Sequence, residues 1–158
     1  MKKYLFLICG ICAFAFSGCR SSNDMGSYYD HATTILNWEL DGSLTLRAWG
    51  EGRNRNDAIE QAKKNAVYEV IFHGIVNTGD AYTSKPIVTE INAREKYQEY
   101  FDRFFADGGA YSKYVSMADN RLGSQTSLSN SLQKTYATTV RVLVPQLRQR
   151  LQDDGIIK

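Results

Sequence analysis

Hydrophobic and polar positions divide the chain into stretches of different period. Residues 4–16 are almost continuously apolar, whereas 19–32 are rich in Ser, Asn, Gly and Asp and have no period. From residue 33 the pattern becomes that of strands. Residues 33–40 are rich in β-branched and aromatic side chains, Asp41-Gly42 is a pair favoured in type I′ hairpins, and 44–49 alternate with period two. A hairpin is predicted, with Leu44, Leu46 and Ala48 on one face and Thr45, Arg47 and Trp49 on the other. Over 57–73 the period changes: Ala58, Ile59, Ala62, Ala66, Val67, Val70 and Ile71 recur at helical spacing, Asn54 or Asn56 can cap the start, and Gly74 supplies the stop. Small alanines at 58, 62 and 66 let this helix lie close on a sheet.

Residues 75–86 read as a loop, marked by Asn77-Thr78-Gly79-Asp80 and Pro86. A second helix is predicted from about 85 to 107, ended by Gly108-Gly109. Its apolar positions are Ile87, Ile91, Tyr97, Tyr100, Phe101, Phe104 and Phe105, with charged residues between them. Residues 111–117 read as a third strand, and 119–132, polar and long for a hairpin connection, as a candidate mobile or binding loop. Residues 135–144 alternate as a fourth strand, Pro145 opens a last helix over 145–154, and Gly155 ends it. The order strand, strand, helix, helix, strand, strand, helix predicts an α+β fold. Its mostly antiparallel sheet of about four strands should pack against two or three helices.

The apolar run at 4–16 comes after Lys2 and Lys3 and is too short for a permanent membrane span, which needs about 20 residues, but it suits the core of a cleavable export signal. An ordinary signal or a short anchor helix would share that run. Here it closes on Phe16-Ser17-Gly18-Cys19, which resembles the bacterial lipobox, with Phe at the position where Leu is usual. The resemblance implies cleavage after Gly18, a diacylglyceryl group on the Cys19 thiol and acylation of the new amine, and dual acylation anchors stably where one chain would not. The expected organisation is a signal over 1–18, a flexible tether over 19–32 and one domain over 33–158. A coil of the tether's length spans roughly 20 Å. Asp24 is the one acid close behind Cys19, a weak surface-export signal, so the periplasmic face of the outer membrane is favoured over the cell surface.

Of the three cysteines, Cys9 and Cys12 lie in the signal, so the exported chain keeps only Cys19 and can form neither a disulfide framework nor a thiol-based zinc site. The formal charge of +2 matches Lys2 and Lys3, and the chain beyond the signal is balanced. Such a balance gives no electrostatic attraction for nucleic acid or anionic lipid. Ten Tyr and seven Phe are many for this length, and can fill a core or pave a binding face.

Candidate chemistry is sparse. Gly50 and Gly52 invite a nucleotide-binding reading, but Arg55 stands where a dinucleotide fingerprint needs its third glycine and no Gly-Lys-Ser/Thr is present. Tight reversal between strand and helix accounts for them better. Glu95 with Glu99, or Glu99 with Asp102, read as solvated charges of an amphipathic helix rather than as a hydrolytic pair. His31 and His73 have no partner at metal-ligand spacing, His73 suits a cation at a helix C-terminus, and no nucleophile elbow is present. No enzyme, cofactor or metal is expected.

A strand ending in Gly-x-Gly, a short polar link and a helix with Ala every fourth residue, here Ala48, Gly50, Gly52, Ala58, Ala62 and Ala66, resembles a small bacterial lipoprotein family. Its domain also forms the amino-terminal part of the flagellar T-ring protein. That resemblance implies an α+β envelope domain used for packing or assembly, with no catalytic residues to carry over, and the long aromatic second helix departs from it. The function expected is a membrane-anchored, non-catalytic lipoprotein that binds another envelope protein through a sheet edge, the aromatic helix or the 119–132 loop. The alternative is a glycan- or peptidoglycan-binding module. Candidate contacts are Trp49, Tyr97, Tyr100, Phe101 and Phe104, with Trp49 open between a binding role and packing and the Tyr100–Phe105 cluster open between core and partner-facing patch.

Overall fold

Leu44, Leu46 and Ala48 are buried and Thr45, Arg47 and Trp49 half-buried on the opposite face, the period of a strand covered by helices on one side. The computed structural model describes residues 32–76, 83–118, 127–130 and 133–158. Strand β1 (Thr34–Trp38) pairs with β2 (Leu44–Gly52). The far side of β2 is paired along its whole length with β7 (Gln133–Val142), from Leu44 opposite Val142 to Gly52 opposite Lys134. Two short segments, β5 (Val115–Met117) and β6 (Ser127–Asn130), share the other edge of β7. The sheet is therefore four strands wide, in the order β1-β2-β7-β5, with every pair antiparallel, and the domain is α+β. Met117 faces Val140 and the Ala118 amide donates to the Thr139 carbonyl at 3.0 Å, but Tyr136 faces Ser127, where an unbroken register would bring residue 121. The edge strand is thus one line interrupted by an insertion.

The β1–β2 turn differs from the predicted type I′ pair. Among residues 40–42 only Gly42 has positive φ, at 80°, whereas type I′ needs two such residues. Glu39 and Ser43 close a three-residue turn instead, with the Glu39 amide donating to the Ser43 carbonyl at 3.0 Å and the Gly42 amide to the Glu39 carbonyl at 2.9 Å. The Asp41 carboxylate accepts from the Ser43 amide at 3.0 Å and the Ser43 hydroxyl at 2.6 Å.

Helix α1 (Arg55–Tyr68) starts where Asn54 accepts from the Asp57 amide at 3.0 Å, and it buries Ala58, Ala62, Ala66 and Val67. It lies directly on β2: a Cβ added to Gly50 would stand 2.1 Å from the Ala58 carbonyl oxygen, and one on Gly52 2.5 Å from the Ala58 nitrogen. The two glycines are there for this approach as well as for the chain reversal. A wide π-type turn (Glu69–His73) continues α1, buries Val70 and Ile71, and ends at Gly74 with φ 71°. The Val70 and Ile71 carbonyls accept from the amides of Ile87 at 3.1 Å and Val88 at 2.9 Å.

That docking corrects the predicted second helix. Residues 75–76 and 83–84 form a two-rung ladder, β3 (Ile75–Val76) with β4 (Thr83–Ser84), inside what reads as loop, and 85–92 are not helical. Pro86 disfavours helix at the residue before it, Ile87 and Val88 are β-branched, and their amides are engaged by the end of α1. Helix resumes only as α2 (Ala93–Lys96) and α3 (Gln98–Phe104), broken at Tyr97. The predicted strand over 111–117 is likewise shortened. Ala110–Tyr114 form a 3₁₀ turn, anchored by the Ser112 hydroxyl on the Gly109 carbonyl at 2.8 Å, which carries Tyr111 into the core, and only Val115–Met117 pair as strand. Of the predicted 119–132 loop, 127–130 are strand β6, and the rest lies outside the described residues.

Helix α4 (Val144–Asp153) opens on Pro145 and buries Leu147 and Leu151. Gly155, at φ 72°, donates to the Gln152 carbonyl at 2.9 Å and the Ile156 amide to the Leu151 carbonyl at 2.9 Å, a Schellman end that turns Ile156 inward. The core joins the inner faces of β2 and β7 to α1, α3 and α4.

Candidate functional site

The predicted contact residues do not share one surface. Trp49 sits half-buried on the sheet face away from the helices, directly across from Ala137, with the Arg47 guanidinium 5.8 Å from its ring centroid. The other four belong to the helical side. Phe101 and Phe104 are the inner stripe of α3 and are closed off from solvent, at 0% and 3% exposed. Phe101 meets Phe72 with ring centroids 4.8 Å apart, and Phe104 stacks with Tyr114 at 6.2 Å. This corrects the reading of those two as surface contacts: helical spacing points them into the core and leaves Tyr97 and Tyr100 at its rim. Tyr97 is half-buried with the Lys96 ammonium 4.8 Å from its ring centroid. Tyr100 donates its hydroxyl to Asp154 at 2.6 Å, and Arg150 pairs with the same carboxylate at 2.8 Å. Burial, with the Asp154 charge behind it, holds the Tyr100 phenol well above the usual tyrosine range. These contacts fasten α4 to α3. Cys19 lies outside the described residues, as do 119–126 and 131–132.

The sheet face away from the helices carries a feature that the sequence does not announce, an open groove of about 630 Å³ lined by Glu39, Thr45, Ser116, Met117, Ala118, Thr139 and Arg141. Register assembles it. Thr45, Arg141 and Ser116 stand side by side across β2, β7 and β5, with Thr139 in the next row. Its charges are held by neighbours. Arg141 donates from Nε to the Ser43 hydroxyl at 2.7 Å and from its terminal nitrogen to Asp41 at 2.8 Å. Hydrogen bonds from the Ser43 side chain and backbone, helped by the Arg141 charge, hold the Asp41 carboxyl below its ordinary value. Glu39 accepts from the Thr45 hydroxyl at 2.8 Å and from Asn37 at 3.1 Å. Hydroxyls, one carboxylate and one guanidinium in fixed positions form a set suited to hydrogen-bonding a polar chain, and no histidine or cysteine lines the groove. The sequence marks Thr45 and Arg141 as outward-facing, but only strand register brings them together.

Among the described residues no group of three or more His, Cys, Asp or Glu could hold a metal ion, and no helix is long and apolar enough to cross a membrane. Compared with protein families, with curated proteins and with solved structures, the chain matches none.

Proposed function

We propose that the chain is a lipid-anchored lipoprotein of the cell envelope, acylated at Cys19 and facing the periplasm from the outer membrane. Its domain works without catalysis, as a structural or assembly component that binds another envelope protein. The observation that carries this reading is the one-sided sheet: helices and aromatic side chains close one face, while the other holds a polar groove whose charged groups are already positioned. Groups fixed before a partner arrives lose little freedom on binding. Ser17-Gly18-Cys19 after the apolar run supplies the anchor, and the likeness of residues 48–66 to the T-ring lipoprotein family points the same way.

The test is to tag the full-length protein at its carboxyl end, extract membranes gently and identify what comes with it, beside Cys19→Ala and the groove-filling Thr139→Trp. A stoichiometric envelope protein that is lost in both variants is the expected result. Recovery of the lipoprotein alone, under mild and harsh detergent alike, sinks the assembly reading. Trp49 favours a second reading, because it shares the groove's face and an indole is a stacking platform for a sugar ring. That reading requires retention on cell-wall material that Trp49→Ala abolishes without unfolding the domain.

A further inference from the structure

Large apolar side chains left exposed among the described residues are concentrated at one edge. Leu36 is 49% exposed, Trp38 40%, and Leu40, at the hairpin tip, fully so. Val76, 76% exposed, is on β3, which lies beside β1. Only Ile91 stands elsewhere among these exposed residues, and scattered single residues of this kind need no account. Edge strands usually carry charge, proline or a bulge against unwanted pairing; Thr34–Trp38 has neither charge nor proline, and its guard is a bulge that leaves Leu36 unpaired between the Ile35–Leu46 and Asn37–Thr45 pairs. Of the acids at the tip, Asp41 is paired with Arg141, and Glu39 keeps its charge but is turned back onto the strands by hydrogen bonds from Thr45 and Asn37.

This edge is also where the tether enters. Thirteen residues separate Cys19 from Thr33, a length whose reach as a flexible chain would be roughly 20 Å, and the tip lies about 20 Å along the strand from Thr34. We infer that the β1 edge and hairpin tip, through Leu36, Trp38 and Leu40, rest on the interfacial layer of the bilayer that holds the lipid anchor. The inference rests on acylation of Cys19 as proposed above. Three side chains give too little buried area to recruit a free protein, but the anchor makes the contact intramolecular, so a weak affinity suffices to orient the domain. Trp is a residue of the membrane–water interface, where its ring is apolar and its N–H stays wet. Seated this way, the sheet edge faces lipid and the helix-free face stays clear for the proposed partner.

The chain has two tryptophans, so Trp49→Phe leaves Trp38 as the sole reporter, and the difference between wild type and Trp38→Phe gives the same signal should Trp49→Phe perturb the fold. The lipidated full-length product is reconstituted into phosphatidylcholine–phosphatidylethanolamine vesicles containing brominated phosphatidylcholine. Trp38 emission should be at least halved by the brominated lipid and shifted to the blue. Leu36→Ser with Leu40→Ser should restore it, and Cys19→Ala protein should show neither effect when mixed with the same vesicles. Trp38 emission that bromine leaves unchanged overturns the inference. So does shielding from acrylamide without bromine quenching, which would put a protein against this edge. If mass spectrometry finds Cys19 unmodified, the lipoprotein reading fails by itself. The full chain carrying Cys9→Ser and Cys12→Ser is then coupled through Cys19 to a maleimide lipid, and the quenching decides between the same outcomes.

Discussion

Replacing Gly50 by alanine adds a single methyl group at the closest approach of helix to sheet. That methyl would lie 2.1 Å from the Ala58 carbonyl oxygen, 2.3 Å from the Ala62 nitrogen and 2.9 Å from the Ala62 Cα. All three are backbone atoms, so no rotamer change relieves the clash. Ordinary contact needs about 3.5 Å, so α1 must retreat from β2 by roughly 1.4 Å, and a gap of only about 0.5–1 Å already forfeits about a quarter to a half of each dispersion contact it opens. At stake is the packing of α1, which buries Ala58, Ala62, Ala66 and Val67, on the face of β2 that buries Leu46 and Ala48. Overpacking of a core costs about 1–3 kcal/mol and occasionally more, and with rigid backbone on the opposing side Gly50→Ala should cost on the order of 3 kcal/mol. That corresponds to a midpoint lower by about 10 °C for a domain of this size. Urea and thermal unfolding monitored by circular dichroism measure it. Gly108→Ala is the control, because Gly108 has φ +67° with nothing within 4 Å of its added Cβ, so it bears only the left-handed backbone penalty of about 1–2 kcal/mol. A Gly50→Ala cost below that of Gly108→Ala would refute the seating of α1 on β2.

Phe101→Ala should cost about 3–5 kcal/mol, whereas Trp38→Ala, at a side chain 40% exposed, should cost clearly less, both read from urea midpoints. Asn54→Ala removes the cap of α1 and should cost about 1 kcal/mol by the same measurement. Alkaline pH tests the buried phenols. Burial and then the Glu60 carboxylate push Tyr111 up to about 12 from 10.0, and Tyr100 is raised as well. Groups that hold protons more tightly when folded stabilise the fold below their unfolded value and lose that contribution as pH rises. The urea midpoint should therefore stay level to about pH 9 and fall between about pH 10 and 12, and Tyr111→Phe should flatten part of the fall. A midpoint that climbs above pH 10 would contradict the assignment.

The strands and the first helix were legible because a single buried face imposes a strict period: Leu44, Leu46 and Ala48 point inward on β2, and Ala58, Ala62 and Ala66 on α1. What escaped depends on contacts between distant segments. Ile87 and Ile91 fit a helix by spacing, and the carbonyls of Val70 and Ile71 that claim the neighbouring amides are presented by a wide turn that no local period signals. Tyr111, Val115 and Met117 alternate like a strand, yet Tyr111 enters the core from a tight turn, under the Lys64 ammonium at 5.6 Å and with its hydroxyl 3.3 Å from Glu60. Asp41-Gly42 marked the hairpin correctly but not its type, since the Asp41 carboxylate is spent on Ser43. The groove residues could not be grouped at all, because Thr45, Ser116 and Arg141 become neighbours only through the pairing of β2, β7 and β5.

The interrupted edge strand has an evolutionary consequence. Both flanks of the insertion are pinned to β7, by Met117 against Val140 on one side and Ser127 against Tyr136 on the other, so gain or loss of residues between 118 and 127 leaves every other register unchanged. Closing a longer connection there costs only about 0.6 kcal/mol for each doubling of its length. Descendants of this chain are therefore free to vary that segment in length and composition while the sheet beneath it is held constant. Among related chains, insertions and deletions should collect at this position before they appear in the β1–β2 turn, whose three residues are fixed by Gly42 and the Asp41–Ser43 bonds.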